Sequence, residues 1–245
     1  MRLDVCLVER GLAKSRTLAS RLIADGSVSV GGRVVKKASY AVSESDEVTV
    51  GENELFRYVS RGGLKLCAAL DAFELDVRDL TCFDFGSSTG GFCDCLLQKG
   101  VRRIFAVDVG KSQLDETIRT DARVVCMEET DARGLSAELL GEACDLGVMD
   151  VSFISQSLLY PAAARCLKEG AHFVTLFKPQ FEVGKSHIAK GGIVRDARAR
   201  EAAFETLVLA AANSGLRFVK RIPSPILGGD GNYEELLLFL RCNDV

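Results

Sequence analysis

Long apolar runs are missing from this sequence. The longest, near Leu207 to Ala212 and Leu236 to Leu240, are far too short to cross a bilayer. An excess of positive charge is missing too. The formal net charge is −3, so any surface for a polyanion has to be local. Histidine is nearly absent, with only His172 and His187, and none of the nine cysteines forms a Cys-x-x-Cys pair. Those absences, with the odd count, argue against a metal site and against a disulfide framework. Most of the cysteines lie in apolar segments, where a thiol acts as a small hydrophobe. A reducing cytoplasm suits such a chain. Met1-Arg2-Leu3-Asp4 runs directly into a folded-looking segment without a signal peptide. The expectation is a cytoplasmic location, with no membrane and no metal. What is present is apolar content: 47% of 245 residues are hydrophobic, enough for one large domain or a large one plus a small one.

The chain is organised around Phe83-Asp84-Phe85-Gly86-Ser87-Ser88-Thr89-Gly90-Gly91-Phe92. Thr81 to Phe85 has the short apolar character of a buried parallel strand. Gly86, Gly90 and Gly91 let the backbone bend and approach a ligand. Phe92 to Lys99 reads as a helix and Arg103 to Val107 as a second strand, ending in Asp108. A carboxylate at that tip, roughly 20 residues after the turn, is where a doubly wound sheet holds a ribose hydroxyl pair. A dinucleotide loop requires Gly where Ser88 stands, and a phosphate loop requires Gly-Lys where Gly91 is followed by Phe92. A ligand without phosphate fits better, namely S-adenosylmethionine. The plainer alternative is a tight strand-to-helix turn that binds nothing.

The first sixty residues read as a separate α+β unit. Leu3 to Arg10 is a short helix ended by Gly11. Ser15 caps a second helix through Ala24, closed by Gly26. Ser27 to Val30 is a strand, Gly31-Gly32 a turn, Arg33 to Val35 the return, and Glu47 to Val50 another strand. Between Arg10 and Lys37 stand seven basic residues against one acid, Asp25. Such a run is usually a solvated face. Concentrated on one helix and one hairpin of an acidic protein, it is also the footprint of contacts to a nucleic-acid backbone. Leu-x-Glu-Arg-Gly-Leu-Ala-x-Ser-Arg, followed by Leu-Ile-x-x-Gly-x-Val-x-Val-x-Gly, resembles the S4 RNA-binding domain over residues 1–51. That resemblance implies that Lys14, Ser15, Arg16 and Arg21 face RNA. Residues 52–59 are the expected linker.

From residue 60 helix and strand alternate, the pattern of a parallel sheet covered on both faces. Strands are expected near 81–86, 103–108, 123–127, 145–150, 172–178, 217–222 and 234–241. The last two are joined without a helix, so the seventh should pair antiparallel with the sixth or insert beside it. The expected class is α/β: a Rossmann-like methyltransferase sheet of seven mostly parallel strands over residues 60–245. Ligands sit at the carboxyl ends of such strands. Asp150 closes the fourth strand and Lys178 the fifth, while Glu234 opens the antiparallel seventh on the same rim. Lys65 lies on a helix opened by Ser60-Arg61-Gly62-Gly63. Gly184 to Gly192, with Lys185, His187 and Lys190, reads as a mobile basic loop over the substrate.

Ser-Arg-Gly-Gly-x-Lys at 60–65, Asp84-x-Gly86-x-Ser88-Thr89-Gly90-Gly91-Phe92-x-Asp94, Asp150-Val-Ser-Phe-Ile-Ser, Lys178-Pro-Gln-Phe-Glu and Gly231-Asn-x-Glu234 together resemble the TlyA family. Its members, also called haemolysin A, join an S4 domain to an FtsJ-like ribosomal RNA methyltransferase. The resemblance implies that Lys65, Asp150, Lys178 and Glu234 form a Lys-Asp-Lys-Glu tetrad for ribose 2′-O-methylation. It implies S-adenosylmethionine at Asp84, Gly86, Ser88, Gly90 and Asp108, with Asp131, where the family often has Asn, at an adenine edge formed by Glu129 to Asp131. Cys93 stands where the family usually has Thr. The chemistry suits such a tetrad, because a ribose hydroxyl is a poor nucleophile that must be aligned and relieved of a proton. Lys178 is expected to accept or orient that proton, Asp150 to hold Lys178, and Lys65 with Glu234 to position the ribose. The implied partner is ribosomal RNA or a ribosomal subunit, at a cytidine. The start at the first S4 helix favours the large subunit. Two other functions fit parts of the pattern: a non-catalytic RNA-binding or assembly factor, and a membrane-active cytolysin.

Overall fold

The computed structural model describes residues 1–13, 15–51, 57–228 and 231–242. The chain divides into two compact units, Met1–Arg57 and Tyr58–Val245. Residues 52–56 of the expected linker lie outside the described residues. Tyr58 is buried and the Val59 N–H donates to Asp94 at 2.8 Å, so both are packed into the large unit.

The small unit holds helices α1 (Leu3–Glu9) and α2 (Arg16–Asp25) and strands β1 (Val28–Val30), β2 (Arg33–Val34) and β3 (Val48–Val50). Leu3, Cys6 and Leu7 of α1 meet Ala19, Leu22 and Ile23 of α2 in its core. The Ser15 hydroxyl accepts the Leu18 N–H at the start of α2, and Gly26, at φ 88°, closes it. β1 is central, antiparallel to β2 and β3. Asp4 is buried, and ion pairs to Arg2 at 2.8 Å and Arg16 at 3.1 Å hold its carboxyl far below the usual range.

The large unit carries strands β4 (Thr81–Phe85), β5 (Arg103–Val107), β6 (Val124–Met127), β7 (Cys144–Met149), β8 (Leu167–Phe177), β9 (Leu216–Pro223) and β10 (Glu235–Arg241). Its helices are α3 (Gly62–Ala72), α4 (Gly91–Gln98), α5 (Glu116–Arg119), α6 (Ala137–Leu140), α7 (Tyr160–Cys166) and α8 (Ala197–Ala212). The sheet order is β6-β5-β4-β7-β8-β10-β9. β10 runs antiparallel to both neighbours, so the seventh strand pairs with the sixth and also inserts beside the fifth. With no helix between β9 and β10, the chain can only turn back on itself. β8 starts earlier than its apolar run. Leu167 pairs with Cys144, Lys168 to Gly170 stay exposed, and regular pairing resumes at His172 with Leu146.

Strand alternation splits the core into two layers. Phe83, Phe85 and Phe173 pack towards Tyr160, Phe204 and Leu207 of α7 and α8. Cys82, Ile104, Val148 and Leu176 pack towards Leu66, Leu70, Phe92 and Leu96 of α3 and α4. All nine cysteines are unbridged, and six of them are fully buried. Gly147 fits beneath this aromatic layer. A Cβ there would stand 2.8 Å from Phe173 and nearer still to Phe83.

One charged group interrupts the second layer. Asp84, inside β4, has no exposed surface. One of its oxygens accepts the Cys93 thiol at 3.1 Å, and the other has no partner. Burial pushes its carboxyl up to about 7 against the opposing thiol hydrogen bond, and the charges of Asp150 and Asp108 push the same way.

Two tests follow from this packing. Gly147→Ala is expected to destabilise the protein by about 1–3 kcal/mol, read by urea unfolding; an unchanged midpoint would contradict the tight fit. Because Asp84 binds its proton more tightly folded than unfolded, its contribution is full below its unfolded pKa and is lost as pH rises through about 7. Wild type should therefore lose stability relative to Asp84→Asn between pH 5 and pH 8, and parallel stability curves for the two proteins would refute that burial.

Candidate active site

The strand tips of β4, β5 and β7 meet at the glycine turn. Gly86 has φ 81°, and a Cβ on it would lie 2.7 Å from the Asp150 carbonyl oxygen. A Cβ on Gly91 would meet the Gly63 nitrogen at 3.1 Å and press on the Ser60 side chain. The turn is thus wedged between the end of β7 and the start of α3, at distances that only glycine permits. Gly90, at φ 91°, shapes the turn and backs onto Leu114 and Ile118.

Beside the turn lies a cavity of about 560 Å³, walled by Gly86, Ser88, Asp108, Asp131, Asp150 and Leu159 among others. Asp108 is fixed at its mouth: one oxygen accepts the Ser88 N–H at 2.8 Å and the other the Gly110 N–H at 2.7 Å. Asp131 lies on the wall with Arg133 2.6 Å away, and that guanidinium brings its carboxyl down to about 2. Asp84 does not line this cavity and has no exposed surface. It lies beneath the turn, so the expected direct contact to a cofactor is not what its placement gives. Asp108, Asp131 and Asp150 nonetheless put carboxylates on the wall of the first cavity, which suits a ligand bearing positive charge.

The other four expected residues resolve into two ion pairs. Lys65 of α3 meets Glu234 at 2.5 Å, both side chains buried. Lys178, at the end of β8, meets Asp150 at 2.5 Å and donates to the Ser152 hydroxyl at 2.8 Å. Lys178 and Glu234 face a second cavity of about 410 Å³, and Asp150 faces the first. Ser152 and Phe153 line both. Lys65 lines neither and reaches the second cavity only through Glu234.

The turn carrying Ser152 and Phe153 is held from behind. Glu182 accepts the Ser155 hydroxyl at 2.6 Å and the Gln156 N–H at 2.9 Å, and Gln156 donates to the Leu176 carbonyl at 2.6 Å. Burial raises the Glu182 carboxyl. Phe153, at φ 66°, is 92% exposed, with its ring 5.2 Å from that of Phe181. An apolar ring in that backbone region and that exposed needs a functional explanation. In the sequence it stands only as part of Asp150-Val-Ser-Phe-Ile-Ser, with no role of its own. Glu128 is a second omission. It accepts the N–H groups of Ser112, Gln113 and Leu114 and pairs with Arg119 at 2.8 Å, which fixes the loop that brings Gln113 to the first cavity. Only its position just past β6 hinted at that.

Lys185, His187 and Lys190 are exposed on their loop, and Ile188 and Gly192 of the same loop wall the second cavity. In the small unit Ser15, Arg16 and Arg21 are exposed, although Arg16 also pairs with Asp4 and Ser15 caps α2. Lys14 lies outside the described residues. Among the described residues no helix is long and apolar enough to cross a membrane, and no cluster of three or more His, Cys, Asp or Glu could hold a metal.

Residues 58–241 match the FtsJ-like methyltransferase family, and residues 1–48 match the S4 domain. The chain is 42% identical to the 16S/23S rRNA (cytidine-2′-O)-methyltransferase TlyA of Mycobacterium tuberculosis, over 96% of this chain and 88% of that one. It is 38% identical to the 23S rRNA (cytidine-2′-O)-methyltransferase TlyA of Campylobacter jejuni, over 75% of this chain and 71% of that one. The solved structure of a Streptococcus thermophilus protein named as a hemolysin, 38% identical, superposes with a TM-score of 0.78 and covers 100% of this chain and 89% of that one. Strand order, rim geometry and sequence agree, and the chain belongs to the FtsJ-like methyltransferase family, in the form that carries an S4 domain.

Proposed function

We propose that this protein methylates the 2′-hydroxyl of a cytidine in large-subunit ribosomal RNA, using S-adenosylmethionine. The observation that carries the reading is the pair of adjoining cavities that share Ser152 and Phe153, with the Asp150–Lys178 pair spanning the two and the Lys65–Glu234 pair on the side of the second. Large-subunit RNA and cytidine are what the names of the M. tuberculosis and C. jejuni relatives share. The small unit supports RNA as the substrate through its seven basic residues against one acid between Arg10 and Lys37. On this reading Lys14, Ser15, Arg16 and Arg21 contact the RNA.

S-Adenosylmethionine, when bound, supplies a methyl group already activated on a sulfonium. The first cavity fits it on two observations: a glycine turn that admits close backbone approach, and the three carboxylates of Asp108, Asp131 and Asp150 on its walls. Gly86, Ser88, Asp108 and Asp131 would hold it, Gly90 would shape the turn, and Asp84 would act from below.

The ribose belongs in the second cavity. Asp150 and Ser152 engage Lys178 from one side, which aims its remaining N–H towards that cavity. This arrangement makes Lys178 first an orienter of the attacking oxygen. Lys178 accepts the hydroxyl proton when it enters the cycle as the amine. Glu234, held by its pairing with Lys65, gives the ribose an acceptor on the wall of the same cavity. Phe153 offers an exposed aromatic face on which a base lifted from its stack can rest.

Lys178→Ala should lower single-turnover methylation of ribosomal RNA by about 10²–10⁴-fold while cofactor affinity holds, as read by calorimetry and ribose-methylation mapping. An active variant would remove Lys178 from the chemistry. Asp108→Ala should weaken S-adenosylmethionine binding by about tenfold or more and leave RNA binding intact; equal affinity would place the cofactor elsewhere.

A further inference from the structure

The motif Gly231-Asn232-Tyr233-Glu234 contributes only Glu234 to the site so far. Asn232 is 1% exposed, and both ends of its amide are used. Its oxygen accepts the Val194 N–H at 3.0 Å and its nitrogen donates to the Gly192 carbonyl at 2.9 Å. Its own carbonyl accepts the Gly228 N–H at 2.9 Å. The Gly192 that it holds is part of the second cavity wall, along with Ile188. Tyr233 grips the same segment further on, with the Arg200 guanidinium 5.5 Å from its ring centre and donating to the Val194 carbonyl at 3.1 Å.

We propose that Asn232 is a positioning residue for the RNA substrate: it straps the 188–194 loop across the ribose cavity to the strand start that presents Glu234. The loop expected from sequence to move freely is anchored at its far end. A buried amide satisfied at both ends is costly to disrupt, because losing either bond strands a backbone group. The strap holds Ile188 and Gly192 in the cavity wall. It does not reach the first cavity, whose walls come from other segments.

The inference rests on the methyltransferase reading for its kinetic test and is independent of it for its structural test. Asn232→Asp keeps the acceptor for Val194 and removes the donor for Gly192; Asn232→Ala removes both. The structural test is limited trypsin cleavage after Lys185 and Lys190 in the full-length protein. Cleavage should be about tenfold faster in Asn232→Asp and faster again in Asn232→Ala. The kinetic test is steady-state methylation of ribosomal RNA. KM for RNA should rise by about tenfold, with kcat and the affinity for S-adenosylmethionine within a factor of about two. Wild-type cleavage rates in folded Asn232→Asp overturn the strap. A parallel loss of cofactor affinity also overturns it, because that is the signature of general destabilisation. Should wild type itself transfer no methyl group, the functional reading fails while the cleavage result still decides the strap.

Discussion

An ammonium group and a carboxylate cannot be taken out of water separately. Each alone costs several kcal/mol, and the loss is recovered only when the two meet in good geometry. Lys65 and Glu234 are both buried, so the first turns of α3 and the start of β10 must arrive at one point or neither group is tolerated. This constraint fixes the rim. It brings the antiparallel strand in between β8 and β9, places Glu234 level with Lys178, and puts Glu234 in the wall of the second cavity. The more accessible Asp150–Lys178 pair does a different job. It spans the boundary between the cavities and keeps a cation beside the place where they join.

The surroundings of that boundary are rigid where they touch both cavities. Glu182 and Gln156 fix the turn bearing Ser152 and Phe153 from the β8 side. Glu128 does the same for the loop facing the first cavity, and Asn232 for the loop facing the second. In each case one side chain satisfies several backbone groups, so the loops are ordered without secondary structure of their own. Pre-ordered walls matter for a reaction whose main demand is alignment.

Much of this was legible in the sequence. Asp150, Lys178 and Glu234 could be found because the chemistry of an open sheet lies at strand tips, and apolar runs mark where strands stop. Asp108 was legible for the same reason. The reversed last strand followed from a helix-free connection. The family resemblance implied a cofactor contact at Asp84, whose side chain faces the α3–α4 layer, because strand alternation sets its side and β4 is covered on both faces. Phe153 was hidden by its apolar character, since nothing local distinguishes an exposed phenylalanine from a core one. Asn232 and Glu128 were hidden for another reason. Their partners are mainly backbone groups, Gly192 and Val194 in one case and Ser112 to Leu114 in the other, and peptide groups leave no mark in a sequence.

The insertion of β10 has a further consequence for how the protein comes into being. Lys65 and Glu234 are 169 positions apart, and the strand that delivers the acid is the last of the sheet to leave the ribosome. Until it slots in, β8 and β9 have no common neighbour, and a buried lysine waits without a counter-ion. A growing chain can therefore assemble its glycine turn early but cannot finish the second chamber before β10 has been made. Such non-local closure is slow, and it makes activity a late event in the life of each molecule.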